Sequence, residues 1–379
     1  MKILHIISGL ADGGAEAILF QLCRTDSGNQ HSVISLGGRG KYSELLENEG
    51  IGVEHLGMSG SRISLANIRA LYDAVRNYRP DVVQTWMYHA DLLGGVIARA
   101  AGRAPVCWGV HNSALVPGQS KRATILISKL NAILSHVLPA KVIYCAEKAR
   151  NVHEELGYSR RRARVIYNGY DLNRFKPNNI QRSELRTQFG FKPDDFVIGM
   201  VARFDPMKDH KNFCSAVQQV IESGIDVKVV MAGSGITQEN DELARTLTSS
   251  NLSGRVSLLG PRPDVNALMC AFDVCVLSSI KEAFPNVLAE AMACGTPCIS
   301  TNVGDAAAIV GDTGWVIAAE DPSALREAII ASKRESSNRH AWRMRQQAAR
   351  LQIEQRFSLE KMVDAYSSAW REAIGATPD

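Results

Sequence analysis

The apolar residues of the chain fall into short runs that alternate with segments of helical spacing. In the first half, near-continuous apolar runs predict strands at residues 2–8, 31–36, 81–86, 105–110, 141–145 and 164–167. Apolar residues that recur every three or four positions predict helices between them, at residues 15–23, 65–78 and 90–100. Strands that are apolar on both faces and alternate with helices are typical of a parallel, doubly wound sheet.

The second half repeats this arrangement. Apolar runs predict strands at residues 196–202, 226–232, 255–259, 273–277 and 297–301. Helices are predicted between them at residues 213–222, 241–248, 265–271 and 287–293, and the chain ends with helices at 322–332, 340–355 and 359–373. The polar stretch 178–186 is predicted to be a linker.

These elements predict an α/β protein with two Rossmann-like domains, residues 1–177 and 178–357, followed by a C-terminal helix within 358–379. If the two domains face each other, the carboxyl ends of both sets of strands meet at one cleft. Ligands bind at that edge in open α/β sheets.

Composition excludes several classes of protein. A net charge of +4 on 379 residues is too weak to predict nucleic-acid binding. No apolar run reaches the roughly 18 residues of a membrane span, and the N-terminus enters a strand without a signal peptide. The eight cysteines form no C-x-x-C pair and no cluster with histidine along the sequence, which predicts free buried thiols, a cytoplasmic location and no metal site.

Two carboxylates flank a predicted helix start in the second half. Glu282 follows the strand at 273–277, and Glu290 lies in the first turns of a helix that begins near Asn286. A helix start offers free N–H groups and a positive dipole end to an anion. Two carboxylates beside such a site predict a ligand with hydroxyls and phosphates, such as a nucleotide sugar.

Basic residues and glycines follow other strands of the second half. Arg203 and Lys208 share one loop and could clamp a diphosphate, although two cations on a loop can also be simply solvated. Their place at the end of a strand favours binding. Gly233 follows the next strand, and Arg262 either stacks on a nucleobase or sits in a surface turn.

The first half has its own candidates at strand ends. Gly13 and Gly14 follow the first strand and open a helix, so the loop is either a tight turn or a close approach to a phosphate or sugar. The spacing is not G-x-G-x-x-G and no acidic residue ends the second strand, so a dehydrogenase is not predicted. His111 directly follows the strand at 105–110; a single histidine is more often structural than catalytic, but this one falls where a strand should end over the cleft.

A basic segment with apolar residues covers residues 120–138. It contains Arg122 and Lys129 and has modest amphipathic spacing. It is either a helix packed on its domain or a peripheral contact with the anionic inner leaflet of a membrane.

In order and spacing, these motifs resemble those of the family 4 glycosyltransferases, retaining enzymes of the GT-B fold, from residue 1 to about residue 373. The resembling motifs are the glycine loop 13–16, His111 with Asn112, the segment 165–175, Arg203 with Lys208, and the E-x7-E pair Glu282 and Glu290. Two places depart from the family. Ala283 stands where glycine is frequent, and the loop at Gly304 lacks a second glycine and a glutamate.

The resemblance implies a role for each candidate. Glu282 would bind the donor sugar's hydroxyls and Glu290 the ribose hydroxyls. Arg203, Lys208 and His111 would lie at the reacting centre, and Gly13 and Gly14 would close on the donor from the first domain. The remaining donor-binding positions are Gly233, Arg262, Phe284, Pro285, Asn286, Val287 and Leu288. The family needs no metal or other cofactor, and its last helix crosses back onto the first domain.

The functional hypothesis is therefore a retaining hexosyl- or N-acetylhexosaminyl-transferase. It would move a sugar from an NDP-sugar, with UDP-sugar as first choice, to a glycan or a polyprenyl-diphosphate-linked acceptor in surface-polysaccharide biosynthesis. Two alternatives are a UDP-sugar 2-epimerase of the same fold and a non-catalytic nucleotide-sugar-binding component of a polysaccharide assembly complex.

Overall fold

The computed structural model describes residues 1–58, 64–112 and 122–375. The chain divides into two compact units. The first unit contains Met1–Gly169 and the helix that begins at Leu359, and the second contains Tyr170–Ser358. The unit boundary therefore lies after Gly169, ahead of the predicted linker. That linker is instead a helix of the second unit, Asn179–Gln188.

The first unit is built on a seven-stranded sheet in which every pair is parallel. The strands are β1 (Lys2–Ile7), β2 (Gln30–Ser35), β3 (Gly52–His55), β4 (Val82–Trp86), β5 (Val106–Val110), β6 (Lys141–Tyr144) and β7 (Ala163–Val165). Their order is β3-β2-β1-β4-β5-β6-β7. Each of the six predicted strands overlaps one of these, and β3 was not predicted.

In the described part of the first unit, six α-helices precede the C-terminal helix. They are α1 (Gly14–Thr25), α2 (Lys41–Asn48), α3 (Leu65–Tyr78), α4 (Gly95–Ala101), α5 (Arg122–Leu134) and α6 (Glu147–Glu155). A short π-helix, Ala90–Gly94, leads into α4. The C-terminal helix (Leu359–Gly375) buries Met362, Tyr366 and Trp370 in the core of this unit. There the Trp370 indole N–H donates to Gln84 Oε1 at 3.1 Å.

The second unit is built on a six-stranded, all-parallel sheet. Its strands are β8 (Val197–Val201), β9 (Lys228–Ala232), β10 (Val256–Leu258), β11 (Val274–Leu277), β12 (Cys298–Thr301) and β13 (Trp315–Ile317). Their order is β10-β9-β8-β11-β12-β13. All five predicted strands are present, and β13 was not predicted.

Eight α-helices surround this second sheet. They are α7 (Asn179–Gln188), α8 (His210–Glu222), α9 (Asp241–Ser249), α10 (Val265–Ala271), α11 (Asn286–Ala293), α12 (Ala306–Val310), α13 (Pro322–Ser336) and α14 (Arg339–Arg356). Several begin at side-chain caps that satisfy free amides. Asp209 accepts from the Asn212 amide at α8, and Asp321 accepts from the Ala324 amide at α13.

In both sheets the order in which the chain adds strands reverses at one point, between β1 and β4 in the first unit and between β8 and β11 in the second. These switch points are where open parallel sheets hold their ligands. The predicted α/β fold with two Rossmann-like sheets is confirmed. Among the described residues, no helix combines the length and apolar character needed to cross a membrane.

Candidate active site

Lys208 and Glu282 meet at the switch point of the second unit. Lys208 ends a 3₁₀ turn (Pro206–Lys208) after β8, and Glu282 lies on the loop after β11. The Lys208 Nζ lies 2.5 Å from Glu282 Oε1, and the two side chains are only 19% and 14% exposed. One cation and one carboxylate are therefore held together at the carboxyl ends of neighbouring strands.

Two serines at the end of β11 hold this pair in place. The Ser279 hydroxyl donates to Glu282 Oε1 at 2.7 Å. The Ser278 hydroxyl donates to the backbone carbonyls of Lys208 and Asp209, at 2.9 and 3.1 Å. Because each serine bonds one partner of the ion pair or its backbone, the pair has little freedom to move.

Arg203 lies at the end of the same β8 loop and is largely exposed. Its Nε and Nη2 donate to Asp205 Oδ2 at 3.0 and 2.9 Å. Asp205 also accepts from the Met207 amide at 2.8 Å, and hydrogen bonds from Met207 and Arg203 lower the pKa of Asp205 against the opposing effect of burial. Asp205 thus connects Arg203 to the turn that carries Lys208.

The first turn of α11 follows Glu282. Pro285 occupies the N-cap position, and its side chain makes no capping hydrogen bond. The Asn286 side chain is held by the Tyr170 hydroxyl, which donates to Asn286 Oδ1 at 2.6 Å. The Leu288 amide donates to the Pro285 carbonyl at 3.1 Å, so this one of the three predicted amides is already engaged within the turn.

Glu290 lies one turn further along α11 and is partly buried. Burial raises the pKa of its carboxyl to about 7, while the nearby positive charge of Arg174 acts in the opposite direction. Near neutral pH this carboxyl can therefore change its charge in response to a ligand.

Phe284 faces the interior of the second unit. It is buried, and its ring lies edge-on to the Phe357 ring with centroids 5.6 Å apart. The loop after β12 supports the backbone beside it. Gly304 adopts a φ of +56°, and a Cβ there would overlap the Ala283 carbonyl oxygen. The loop at Gly304 lacks the second glycine and the glutamate that the family often has. It nevertheless contacts the backbone of Glu282 and Ala283.

Gly233 and Arg262 follow β9 and β10. Gly233 has a φ of +142°, and a Cβ there would overlap the Ala202 carbonyl at the end of β8. Arg262 forms a two-point ion pair with Asp264, with nitrogen–oxygen distances of 2.8 and 2.5 Å. Both residues lie on the same edge of the sheet as Arg203.

In the first unit, Gly13 and Gly14 lie at the start of α1. Gly13 is the N-cap, and a Cβ there would overlap the carboxylate of Glu16. Burial raises the pKa of Glu16, and the nearby Asp12 raises it further against a backbone hydrogen bond. Gly14 is exposed. Because Gly13 has no side chain, the Glu16 carboxylate can occupy the space beside it.

His111 lies directly after β5, and its ring stacks on Trp86 with centroids 4.9 Å apart. Burial lowers the pKa of His111 to about 4, so the imidazole is neutral near pH 7. Its Nε2 is buried and has no hydrogen-bond partner among the described residues. A ligand hydroxyl is a suitable partner for a neutral imidazole nitrogen. Ser113, which follows Asn112, lies outside the described residues.

Metal-ligating atoms come close together at one place among the described residues, in the first unit. Atoms of His5, Cys23 and His31 lie within 4.8 Å of one another, although no sequence spacing predicted this cluster. Trp86 Nε1 donates to His5 Nδ1 at 3.1 Å, and His5 Nε2 lies 2.9 Å from His31 Nδ1. Because these nitrogens already hydrogen-bond one another, we assign them to the core rather than to an ion.

Sequence reasoning missed the residues that position the charged groups. Asp205, Ser278, Ser279 and Tyr170 all contact a predicted site residue. The serines could have been found, because they directly follow a predicted strand at its carboxyl end. A cavity of about 460 Å³ also lies in the second unit, but it is lined by other residues, among them Arg182, Cys270 and Gly295.

Comparison with known proteins places these features in one family. The profile described as "Glycosyltransferase Family 4" matches residues 12–174, and the profile described as "Glycosyl transferases group 1" matches residues 195–332. The EpsF protein of Bacillus subtilis, named as a glycosyltransferase, is 30% identical over 321 residues, which cover 79% of this chain and 78% of EpsF. The chain belongs to the family 4 glycosyltransferases.

Two further relatives are informative. The UDP-Gal:α-D-GlcNAc-diphosphoundecaprenol α-1,3-galactosyltransferase of Escherichia coli is 29% identical over 271 residues, 70% of each chain. The crystal structure of HepE from Anabaena in complex with UDP has a TM-score of 0.85 and 25% identity, and it covers 97% of this chain and 99% of that one. The chain is thus a glycosyltransferase with two Rossmann-like domains of the GT-B type.

Proposed function

We propose that this glycosyltransferase moves a hexosyl or N-acetylhexosaminyl group from a UDP-sugar to a polyprenyl-diphosphate-linked or glycan acceptor, with retention of configuration. The observation that carries the proposal is the Lys208–Glu282 pair at the switch point, with Arg203 on the same loop. In a nucleotide sugar the phosphate is bonded to the sugar ring, so a cation and a carboxylate side by side suit that junction. UDP in the HepE crystal and UDP-Gal in the Escherichia coli relative's name support the donor.

The proposed chemistry depends on stabilising the leaving nucleoside diphosphate. As the bond between the anomeric carbon and the phosphate oxygen breaks, negative charge grows on the phosphate and positive charge on the sugar. Fixed cations at Arg203 and Lys208, with the first amides of α11, stabilise the phosphate without having to reorganise. The acceptor hydroxyl attacks on the face that the phosphate leaves, and its proton passes to a departing phosphate oxygen.

Glu282 and Glu290 would serve binding in this scheme. Glu282 would accept hydrogen bonds from the sugar's hydroxyls, and Glu290 from the ribose hydroxyls. The neutral imidazole of His111 would contact the sugar from the first unit, and Gly13 and Gly14 would approach the donor there. The scheme requires no metal, because arginine and lysine supply the positive charge.

A product assay tests the proposal. Radiolabelled UDP-sugars are incubated with the protein and with polyprenyl-diphosphate-linked sugars, and the products are separated by chromatography. A new glycosidic bond with the donor's anomeric configuration is the expected result. An epimerised UDP-sugar without transfer would support the 2-epimerase instead, and UDP-sugar binding without turnover of any pair would support a non-catalytic component.

A further inference from the structure

Helix α5 exposes a stripe of apolar side chains on the first unit. Four aliphatic residues spaced four, three and four positions apart are 68, 42, 71 and 70% exposed: Leu126, Leu130, Ile133 and Val137, the last in the turn after the helix. This spacing places them on one side of the helix. Ser128, Asn131 and Ala132 of the same helix are buried against the unit. The apolar stripe is thus the outward side of α5.

The surroundings of the stripe are basic. Between Asp91 and Glu147 the sequence has no acidic residue and six basic ones: Arg99, Arg103, Lys121, Arg122, Lys129 and Lys141. Arg122 and Lys129 lie on α5 itself and are exposed. Lys141 pairs with Glu372 at 2.9 Å and therefore contributes little free charge.

A second basic segment packs against the end of α5. The Ser159 amide donates to Ser135 Oγ at 2.8 Å, and the Arg162 guanidinium donates to the Pro139 carbonyl. Burial lowers the pKa of Arg162, and the charges of Arg161 and Arg99 lower it further. Arg160 is paired with Glu154 at 3.4 Å, whereas Arg161 is exposed.

We propose that this face, formed by Leu126, Leu130, Ile133 and Val137 with Arg122, Lys129 and Arg161, binds an anionic phospholipid membrane. Aliphatic side chains on one side of a helix can insert at the boundary of headgroups and acyl chains, while flanking cations contact anionic headgroups. A second copy of the chain fits less well, because a two-fold contact through this face would bring basic residues against basic residues.

Vesicle co-sedimentation of the full chain tests this assignment without donor or acceptor, so its outcome is independent of the proposed transfer reaction. The protein is mixed with vesicles of phosphatidylcholine alone or with added phosphatidylglycerol, at low and high salt. We expect binding to the anionic vesicles that falls with salt, and little binding to the neutral ones.

Two double variants separate the contributions. Arg122→Gln with Lys129→Gln should weaken partitioning about 25-fold, since each cation near an anionic surface contributes about fivefold. Ile133→Gln with Val137→Gln should weaken it at least about tenfold through lost apolar insertion. The matched controls alter exposed residues elsewhere: Leu65→Gln with Ile180→Gln, and Arg245→Gln with Arg255→Gln. These controls should bind like the unaltered protein.

Three results would overturn the assignment. One is equal binding of the unaltered protein to neutral and anionic vesicles. Another is unchanged binding of both α5 variants. The third is a dimer, detected by sedimentation, that both α5 variants abolish while vesicle binding persists. Circular dichroism melts of every variant establish that the compared proteins are folded.

Discussion

The ion pair of Lys208 and Glu282 matters for the geometry of the site rather than for the stability of the fold. Taking two charges out of water costs about as much free energy as their mutual attraction contributes. A mostly buried ion pair therefore does little to stabilise the fold. The same surroundings strengthen the field that the pair exerts on a bound group. Held by Ser278 and Ser279, the two charges are set in place before any ligand arrives.

Replacing Arg203 should affect turnover far more than folding. We expect Arg203→Ala to reduce the rate of transfer by at least about 100-fold, the cost of losing one preorganised charge contact to a leaving group. The melting temperature should stay the same, because the side chain is exposed and bonds only Asp205 in the described structure. Steady-state transfer of radiolabelled sugar measures the effect, with Arg245→Ala as control. Turnover near that of the control would remove Arg203 from the site.

Removing divalent metal should leave transfer intact. In the proposed scheme Arg203 and Lys208 neutralise the leaving diphosphate, and a metal ion would duplicate that role. We therefore expect EDTA to change the transfer rate by less than about twofold. Loss of activity in EDTA that returns with Mg²⁺ or Mn²⁺, but not with Ca²⁺, would contradict this scheme.

Glu290 should make UDP binding depend on pH. With a pKa of about 7 in the free protein, this carboxyl is mostly protonated at pH 6 and mostly ionised at pH 8. The ionised form accepts hydrogen bonds from the ribose hydroxyls far more strongly than the protonated form, because its oxygens carry the negative charge. The contribution of Glu290 to UDP affinity should therefore fall about tenfold from pH 8 to pH 6.

Isothermal titration calorimetry at both pH values measures this change, and Glu290→Gln provides the reference. The phosphates of UDP titrate in the same way whether UDP meets the unaltered protein or Glu290→Gln. The difference in pH dependence between these two proteins therefore reports the Glu290 carboxyl alone. A pH dependence that is the same in Glu290→Gln would show that another group is responsible.

Gly304 links the loop after β12 to the backbone at Glu282. Its φ of +56° disfavours any side chain, and a Cβ would overlap the Ala283 carbonyl. Gly304→Ala should therefore move the Glu282 loop and lower donor affinity by about tenfold, in addition to a strain cost of about 1–2 kcal/mol.

Gly254→Ala is a matched control for that change. Gly254 has a φ of +74°, but no atom lies within 4 Å of its added Cβ. It should show the strain cost in urea unfolding and leave UDP-sugar affinity unchanged. Equal affinity losses in both variants would mean that strain alone, rather than contact with Ala283, weakens binding.

The strands that the sequence failed to predict are β3 and β13, which lie at outer edges of the two sheets. Each is only three or four residues long and alternates exposed or half-buried positions. An edge strand has a neighbour on one side only, so it needs no continuous apolar run. The central strands β1, β4, β8 and β11 are buried nearly throughout, and their apolar runs were sufficient for prediction.

The C-terminal helix completes the core of the first unit from the far end of the chain. Trp370 is fully buried and donates to Gln84 on β4. Trp370→Ala should destabilise this unit by about 3–5 kcal/mol, the typical cost of removing a large buried aromatic side chain. Hydrogen exchange followed by mass spectrometry should show faster exchange in β1 and β4 and unchanged exchange in β8 and β11.

Arg371→Ala, at the exposed neighbouring position, is the control for this prediction and should leave exchange unchanged in both units. Faster exchange in both units after Trp370→Ala would mean that the units unfold together. Unchanged exchange in the first unit would contradict the role of the helix in its core.

The sequence by itself determined the alternation of strands and helices, the division into two α/β halves, and the motifs at the strand ends. These are local properties, because a strand buried on both faces requires a short apolar run and a helix with one apolar face requires apolar residues every three or four positions. Their order was also sufficient to indicate the family.

Only the tertiary structure decided which distant residues meet. Ser279 and Lys208 both contact Glu282 because the strand order sets β8 beside β11, and the pairing of strands is a property of the whole sheet. The polar stretch at 178–186 is a helix because α7 packs against α10. This contact could not be predicted from the polar residues of the stretch. The outward stripe of α5 likewise became visible only when its other side was buried.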